Sequence, residues 1–192
     1  MTFRFDRSDL VRALSVLKEG GVILYPTDTI WGLGCDATRK EAVDRIFRIK
    51  KRNESQSLII LVSGLIMLER YTDNIPGTAL SILEVADKPL TIIYPSGKNL
   101  APGVCADDGS VGIRVCEEPF CKELITMFRK PLVSTSANIS DSPPPANFSR
   151  IDNYIIESAD YVVKYRQEDP SEHPPSQVIK LGKDGTIKII RE

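Results

Sequence analysis

Apolar residues recur along the chain with two alternating periods. Leu10, Leu14 and Leu17 follow Ser8 at helical spacing and stop at Gly20-Gly21, which predicts a helix capped by Ser8 and ended by glycine. Residues 22–25 form a short apolar run closed by Pro26, the pattern of a buried strand. Thr38 and Glu41 have capping-box spacing, and the helix they open places Ala42, Val43, Ile46, Phe47 and Ile49 on one face. Further strands are predicted over 58–62, 90–94, 111–115, 132–135 and 161–164, with short helices over 66–71, 78–85 and 151–159. Phe120, Leu124 and Phe128 mark another helix between Pro119 and Pro131. Residues 177–181 and 186–191 flank Gly182-Lys-Asp-Gly185, a hairpin signal.

This alternation predicts an α/β domain with a layered sheet, and the closing hairpin makes that sheet mixed. Neither a repeat nor a linker interrupts it, so residues 1–192 read as one domain. The proline-rich stretches 142–145 and 167–175 read as mobile loops.

With 42% hydrophobic and 27% charged residues, the chain has the means to bury a substantial core. A net charge of -1 argues against a surface that is wholly an RNA or membrane clamp, so any nucleic-acid site is a local patch. The four cysteines show no CxxC spacing and His173 is the lone histidine, a poor basis for a zinc site. They read as free thiols of a reducing compartment. The charged first twenty residues and the lack of any apolar run of about 20 residues predict a cytoplasmic protein with no membrane partner.

There is no GxxxxGK[ST] loop and no GxGxxG fingerprint, and His173 sits among charges and prolines rather than in a catalytic setting. Three segments remain. Residues 25–36 place hydroxyls and glycines directly after a strand, where open α/β sheets bind ligands; an Asx or Ser/Thr turn is the plainer reading. Arg45, Arg48, Lys50, Lys51 and Arg52 put five cations in eight residues, suited to phosphate oxygens or to the C-terminus of a helix dipole. Ser134-Thr-Ser-Ala-Asn138 follows another strand and offers short polar groups for a phosphate or ribose, or simply a capped turn.

In order, these segments resemble the YrdC-like family of threonylcarbamoyl-AMP synthases. Residues 20–36 are similar to that family's opening signature, Lys50-Lys-Arg52 to its Lys-x-Arg, and Pro89-Leu-Thr91 to its Pro-Leu-Thr. Val111-Gly-Ile-Arg114 resembles its Val-x-x-Arg, Ser136-Ala-Asn138 its Ser-Ala-Asn, and Ser176-Gln-Val-Ile179 its Ser-Thr-Val-Val. Ile189-Ile-Arg191 is similar to the closing Ile-Leu-Arg. Departures occur at Asn53 and Ser57, where prolines are usual, at Ala86-Asp-Lys88 in place of Trp-Pro-Gly, at Gln177 and Lys180, and at Pro144. YciO-like relatives lack Lys-x-Arg and Ser-Ala-Asn, which this chain keeps.

The resemblance implies a twisted mixed sheet flanked by helices around an open basic cleft, in a short single-domain form. It implies a nucleotidyltransferase that converts L-threonine, bicarbonate and ATP to L-threonylcarbamoyl-AMP and pyrophosphate, with Mg2+ accompanying ATP. The product serves N6-threonylcarbamoyladenosine formation in tRNA. Carried over, Lys50 and Arg52 lie along the ATP phosphates as catalytic cations, and Ser110, Ser134, Ser136, Asn138 and Arg191 line the nucleotide. Thr27 and Ser176 hold threonine, and Arg114 pairs with its carboxylate. The resemblance leaves room for weak binding of structured RNA or tRNA and for other proteins of the threonylcarbamoylation pathway. Two other readings remain: a non-catalytic RNA-binding protein of translation or ribosome maturation, and a YciO-like paralogue with another small carboxylate substrate.

Overall fold

The structure is a computed structural model, and it describes residues 4–53, 57–73 and 75–192. Nine strands form one sheet: β1 (Ile23–Tyr25), β2 (Gly32–Gly34), β3 (Ile59–Val62), β4 (Leu90–Tyr94), β5 (Val111–Val115), β6 (Leu132–Ser136), β7 (Tyr161–Val162), β8 (Gln177–Leu181) and β9 (Ile187–Arg191). Their spatial order is β7-β1-β2-β6-β3-β5-β4-β8-β9. The pairs β1/β7, β3/β5 and β4/β8 are parallel and the others antiparallel. Mixed pairing therefore runs through the whole sheet, whereas the sequence located it in the closing hairpin.

Among the described residues six α-helices accompany the sheet: α1 (Arg7–Glu19), α2 (Lys40–Lys50), α3 (Leu65–Leu68), α4 (Gly77–Val85), α5 (Pro119–Phe128) and α6 (Asn153–Ser158). Two expected caps are replaced. The cap of α1 is Asp6, whose carboxylate accepts from Ser8 N–H at 2.8 Å, so the charged acceptor two residues earlier takes the role expected of Ser8. No capping box opens α2: Asp36 binds both the Thr38 hydroxyl (2.6 Å) and its N–H (2.8 Å), leaving Arg39 at the cap with no side-chain bond. At the far end of α1, Gly20 stops the helix with φ 85°, as its left-handed conformation requires.

β2 was unexpected. Its two glycines read as a turn, yet Gly32 and Gly34 pair with β1 on one side, and Gly32 with β6 on the other. The reason is contact: a Cβ on Gly34 would stand 2.5 Å from the Tyr25 ring and 2.8 Å from the Val133 carbonyl oxygen. Only a bare backbone lets the buried Tyr25 ring lie across its neighbour. Leu24, Ile60, Ile92, Val133 and Phe120 are among the fully buried residues of a core continuous from the sheet to the helices. Among the described residues, no helix is long and apolar enough to cross a membrane.

Candidate functional site

A cavity of about 320 Å3 opens where the β1–β2 connection, the end of β6, the start of β3 and the β8–β9 hairpin meet. This is within the usual size range of small-molecule sites. Arg52, Arg114 and Arg191 bring three positive charges to its wall, and Ser134, Ser136, Asn138 and Ser176 bring short polar groups. Among the described residues no carboxylate lines it. Seven of the ten residues singled out from the sequence are thus gathered around one space.

The other three do not line it. Thr27 is buried, its hydroxyl donating to Ile30 O at 2.8 Å and lying 3.0 Å from the Thr29 hydroxyl. Ser110 is turned toward Asp108, whose carboxylate accepts from both its hydroxyl and its N–H. Lys50 ends α2 with a side chain that points inward. Its Nζ donates to the Ser136 and Asn138 carbonyls, each at 2.6 Å, and its own carbonyl accepts from Ser140 N–H at 2.8 Å. The 136–140 loop therefore wraps around this one residue.

The run of five cations is split by the helix that carries it. Arg45 pairs with Asp160 and Ser158 O, Lys51 lies 5.5 Å over the Tyr154 ring, and Lys50 goes under the loop. Lys51 takes φ 49°, with its N–H and that of Arg52 returning to Arg48 O and Phe47 O. That reversal turns the chain out of the helix, and Arg52 alone of the five reaches the cavity wall. There Arg52 Nη2 donates to Ser57 O at 2.8 Å.

Arg114 is held from β5 and is almost wholly buried. Its guanidinium donates to Thr29 Oγ1 at 3.2 Å and stands 3.1 Å from Asp28 Oδ1, while its Nε has no hydrogen-bond partner among the described residues. Arg191, the last residue of β9, donates to Ser176 O at 2.8 Å and to Ser176 Oγ at 3.3 Å; that hydroxyl is also 2.8 Å from Thr91 Oγ1. Asp28 and Thr29, which set the geometry of Arg114, and Trp31, whose ring lines the cavity and packs on Phe148 at 4.8 Å, were not singled out individually from the sequence. The signal was present in the hydroxyl-rich segment 25–36, but only the pairing of β1, β2 and β6 shows which of its side chains turn toward the cavity.

Burial lowers the proton affinity of the cations in and behind the wall. The Lys50 ammonium is pushed down to about 8, by burial first and then by the charge of Arg52. Arg191 is lowered by burial and then by Arg114, and Arg52 is lowered by burial with Asp141 opposing. A wall of partly buried cations with no carboxylate among the described residues is short of negative charge, the electrostatic condition for binding an anion.

A second recess, of about 650 Å3, lies beyond Asp28 between α4 and the ends of β4 and β5. It is larger and more apolar, and contains none of the ten residues.

Known proteins share both this fold and the chain's sequence pattern. The threonylcarbamoyl-AMP synthase of Psychromonas ingrahamii is 37% identical over 143 residues, covering 73% of this chain and 75% of that protein. The structure of P. abyssi Sua5 complexed with L-threonine superimposes with a TM-score of 0.81 at 26% identity over 93% of this chain, which spans only 52% of that longer protein. E. coli YciO, at 24% identity, shares the fold with a TM-score of 0.83, covering 97% of this chain and 90% of that one. Residues 15–192 match the family profile Sua5_yciO_yrdC, described as telomere recombination. With nearly the whole chain matched, the protein belongs to the Sua5/YciO/YrdC family.

Proposed function

We propose that this chain is an L-threonylcarbamoyl-AMP synthase, an enzyme that joins L-threonine, bicarbonate and ATP and releases pyrophosphate. The observation that carries the reading is the cavity wall: three arginines, eight short polar side chains and no described carboxylate, in a chain related to proteins bearing that name. Attack of a carboxylated threonine on the α-phosphorus gathers negative charge on phosphate oxygens as pyrophosphate departs. Such a step needs cations and positioning more than a general base.

In this reading Arg52 lies along the triphosphate, and Lys50 holds the 136–140 loop that presents Ser136 and Asn138. Ser134 and Arg191 complete the nucleotide end, while Ser110, bonded to Asp108, stands off the wall and takes no direct part. Arg114 takes the threonine carboxylate, exchanging part of its contact with Asp28 for the ligand. Thr27 and Ser176 shape the space for the amino acid. Buried Asn138 Oδ1 and Arg114 Nε, unmatched among the described residues, are polar atoms whose partners a ligand would supply. With no described carboxylate at the wall, a Mg2+ ion accompanying ATP would draw on phosphate oxygens and water rather than on protein carboxylates, and would supply charge neutralisation there.

The product is the activated intermediate for threonylcarbamoylation of adenosine in tRNA, which places the enzyme in the cytoplasm. The four unpaired thiols suit that reducing compartment. Tight RNA binding is not favoured, because the cations of residues 45–52 diverge instead of forming one patch. Pyrophosphate release measured with and without threonine and bicarbonate tests the activity. Release that needs both supports it, and ATP turnover indifferent to either overturns it.

A further inference from the structure

Arg166 lies outside the cavity and outside every motif discussed above. It follows β7 in a left-handed conformation, φ 64°. Its guanidinium uses all three nitrogens: Nη1 donates to Thr27 O at 3.0 Å, Nε to Asp169 Oδ2 at 3.0 Å, and Nη2 to His173 Nε2 at 2.9 Å. A guanidinium has no acceptor, so His173 Nε2 accepts and the imidazole carries its proton on Nδ1. Asp169 is itself buried and accepts Ser171 N–H at 3.0 Å, which closes the turn that leads to His173.

The segment before Arg166 is anchored as firmly. Asp9 of α1 accepts the Tyr161 hydroxyl at 2.7 Å and the N–H groups of Lys164 and Tyr165 at 3.0–3.1 Å. The Tyr165 ring stacks on Phe120 at 5.7 Å. Arg166 therefore projects from a fixed base. One of its partners, the Thr27 carbonyl, lies two residues before the cavity wall formed by residues 29–32; another, His173, lies two residues before the wall formed by Pro175 and Ser176.

We propose that Arg166 is a positioning residue that sets the width of the amino-acid end of the cavity, by fastening the Thr27 backbone and the 169–173 turn to one guanidinium. The proposal rests on the reading that threonine occupies that end. Three bonds in one plane are what an arginine fork provides and a lysine ammonium cannot. Without it the two walls keep their residues but lose their separation, and misplacement of substrate costs binding even when no contact residue has changed.

The test compares Arg166→Lys and His173→Ala with the unaltered protein. In Arg166→Lys the KM for threonine is expected to rise about tenfold or more, the loss of one hydrogen bond to a charged group, while the KM for ATP stays within about twofold. His173→Ala, which removes one of the three bonds, shifts the threonine KM in the same direction by less, and the pair together fall short of additivity. Amide hydrogen exchange of ligand-free protein is expected to quicken over residues 167–175 in both variants, with the β1 and β4 amides still protected.

Unchanged exchange over 167–175 overturns the clamp. A threonine KM that does not move, or that moves together with the ATP KM and a lowered Tm, overturns the positioning role. Exchange needs no substrate, so an unaltered protein without threonine-dependent pyrophosphate release sinks the proposed activity while the clamp is still judged. If Arg166→Lys does not fold, His173→Ala decides both questions.

Discussion

Replacing Lys50 with methionine keeps most of the side-chain volume and removes the ammonium. Lys50 is 1% exposed, and its two bonds to the Ser136 and Asn138 carbonyls are each 2.6 Å. Hydrogen bonds to a charged group contribute about 1.5–3 kcal/mol each. Against that stands the cost of burying the charge, a few kcal/mol on the scale of a fall from 10.5 to about 8. The difference leaves Lys50→Met destabilised by up to about 2.5 kcal/mol, against the ~0.3–1 kcal/mol of a cation that merely offsets a helix dipole. For a chain of 192 residues this lowers Tm by about 2–4 °C per kcal/mol. Pyrophosphate release should fall by about 10²–10³, as the 136–140 loop loses its anchor and the triphosphate a preorganised set of donors. Thermal unfolding and turnover are measured on the same preparation. A Tm within about 1 °C of the unaltered protein and near-normal turnover would refute the anchoring role and leave Lys50 as a helix cap.

Threonine should bind more tightly than valine, by well over the ~10–200-fold that a methylene's worth of shape provides, since Thr29 and Ser176 bring hydroxyl side chains to the wall of the proposed pocket; calorimetry with ATP present measures this, and equal affinities would remove Ser176, and Thr27 that supports Thr29, from the pocket. Turnover should decline as pH rises through about 8, where Lys50 loses its proton. Stability moves the other way. The unfolded chain keeps that proton to about 10.5, so between 8 and 10.5 it binds more protons than the folded state and the Lys50 contribution to unfolding free energy grows with pH. Urea titrations of the unaltered protein and Lys50→Met across this window read the effect as a slope present in the first and absent in the second.

Strand and helix identity were largely legible because most elements carry their own period. Leu90–Tyr94 lies between Pro89 and Pro95, Val111–Val115 repeats apolar residues at every second position, and their strands match the expected bounds. What escaped reading depends on partners far away in sequence. The glycines of β2 answer to Tyr25 and Val133, and Arg166 answers to Thr27, 139 residues earlier. Lys50 is an intermediate case. It lies four residues after Ile46 and three after Phe47, on the apolar face of α2, so its inward direction was written in the helical period although its charge argued for the surface. The site was legible as a set of motifs, but which of Lys50 and Arg52 reaches the cavity is decided by the turn at Lys51.

The strand order has a consequence for the birth of the protein. β1 has β7 as its parallel neighbour, and Arg191 at the wall comes from β9, the outermost strand beyond β8. A chain emerging from the ribosome, N-terminus first, presents Thr29 and Trp31 long before Ser176 or Arg191 exists to face them. Each such closure waits on distant pairings, which form slowly because loop entropy must be overcome before contacts reward it. At about 5–20 residues per second, some 10–30 seconds separate the two ends of the site during synthesis. Until the final hairpin docks, the half-built wall of arginine and serine stays open to solvent, and the nascent protein has no closed cavity between its two sides.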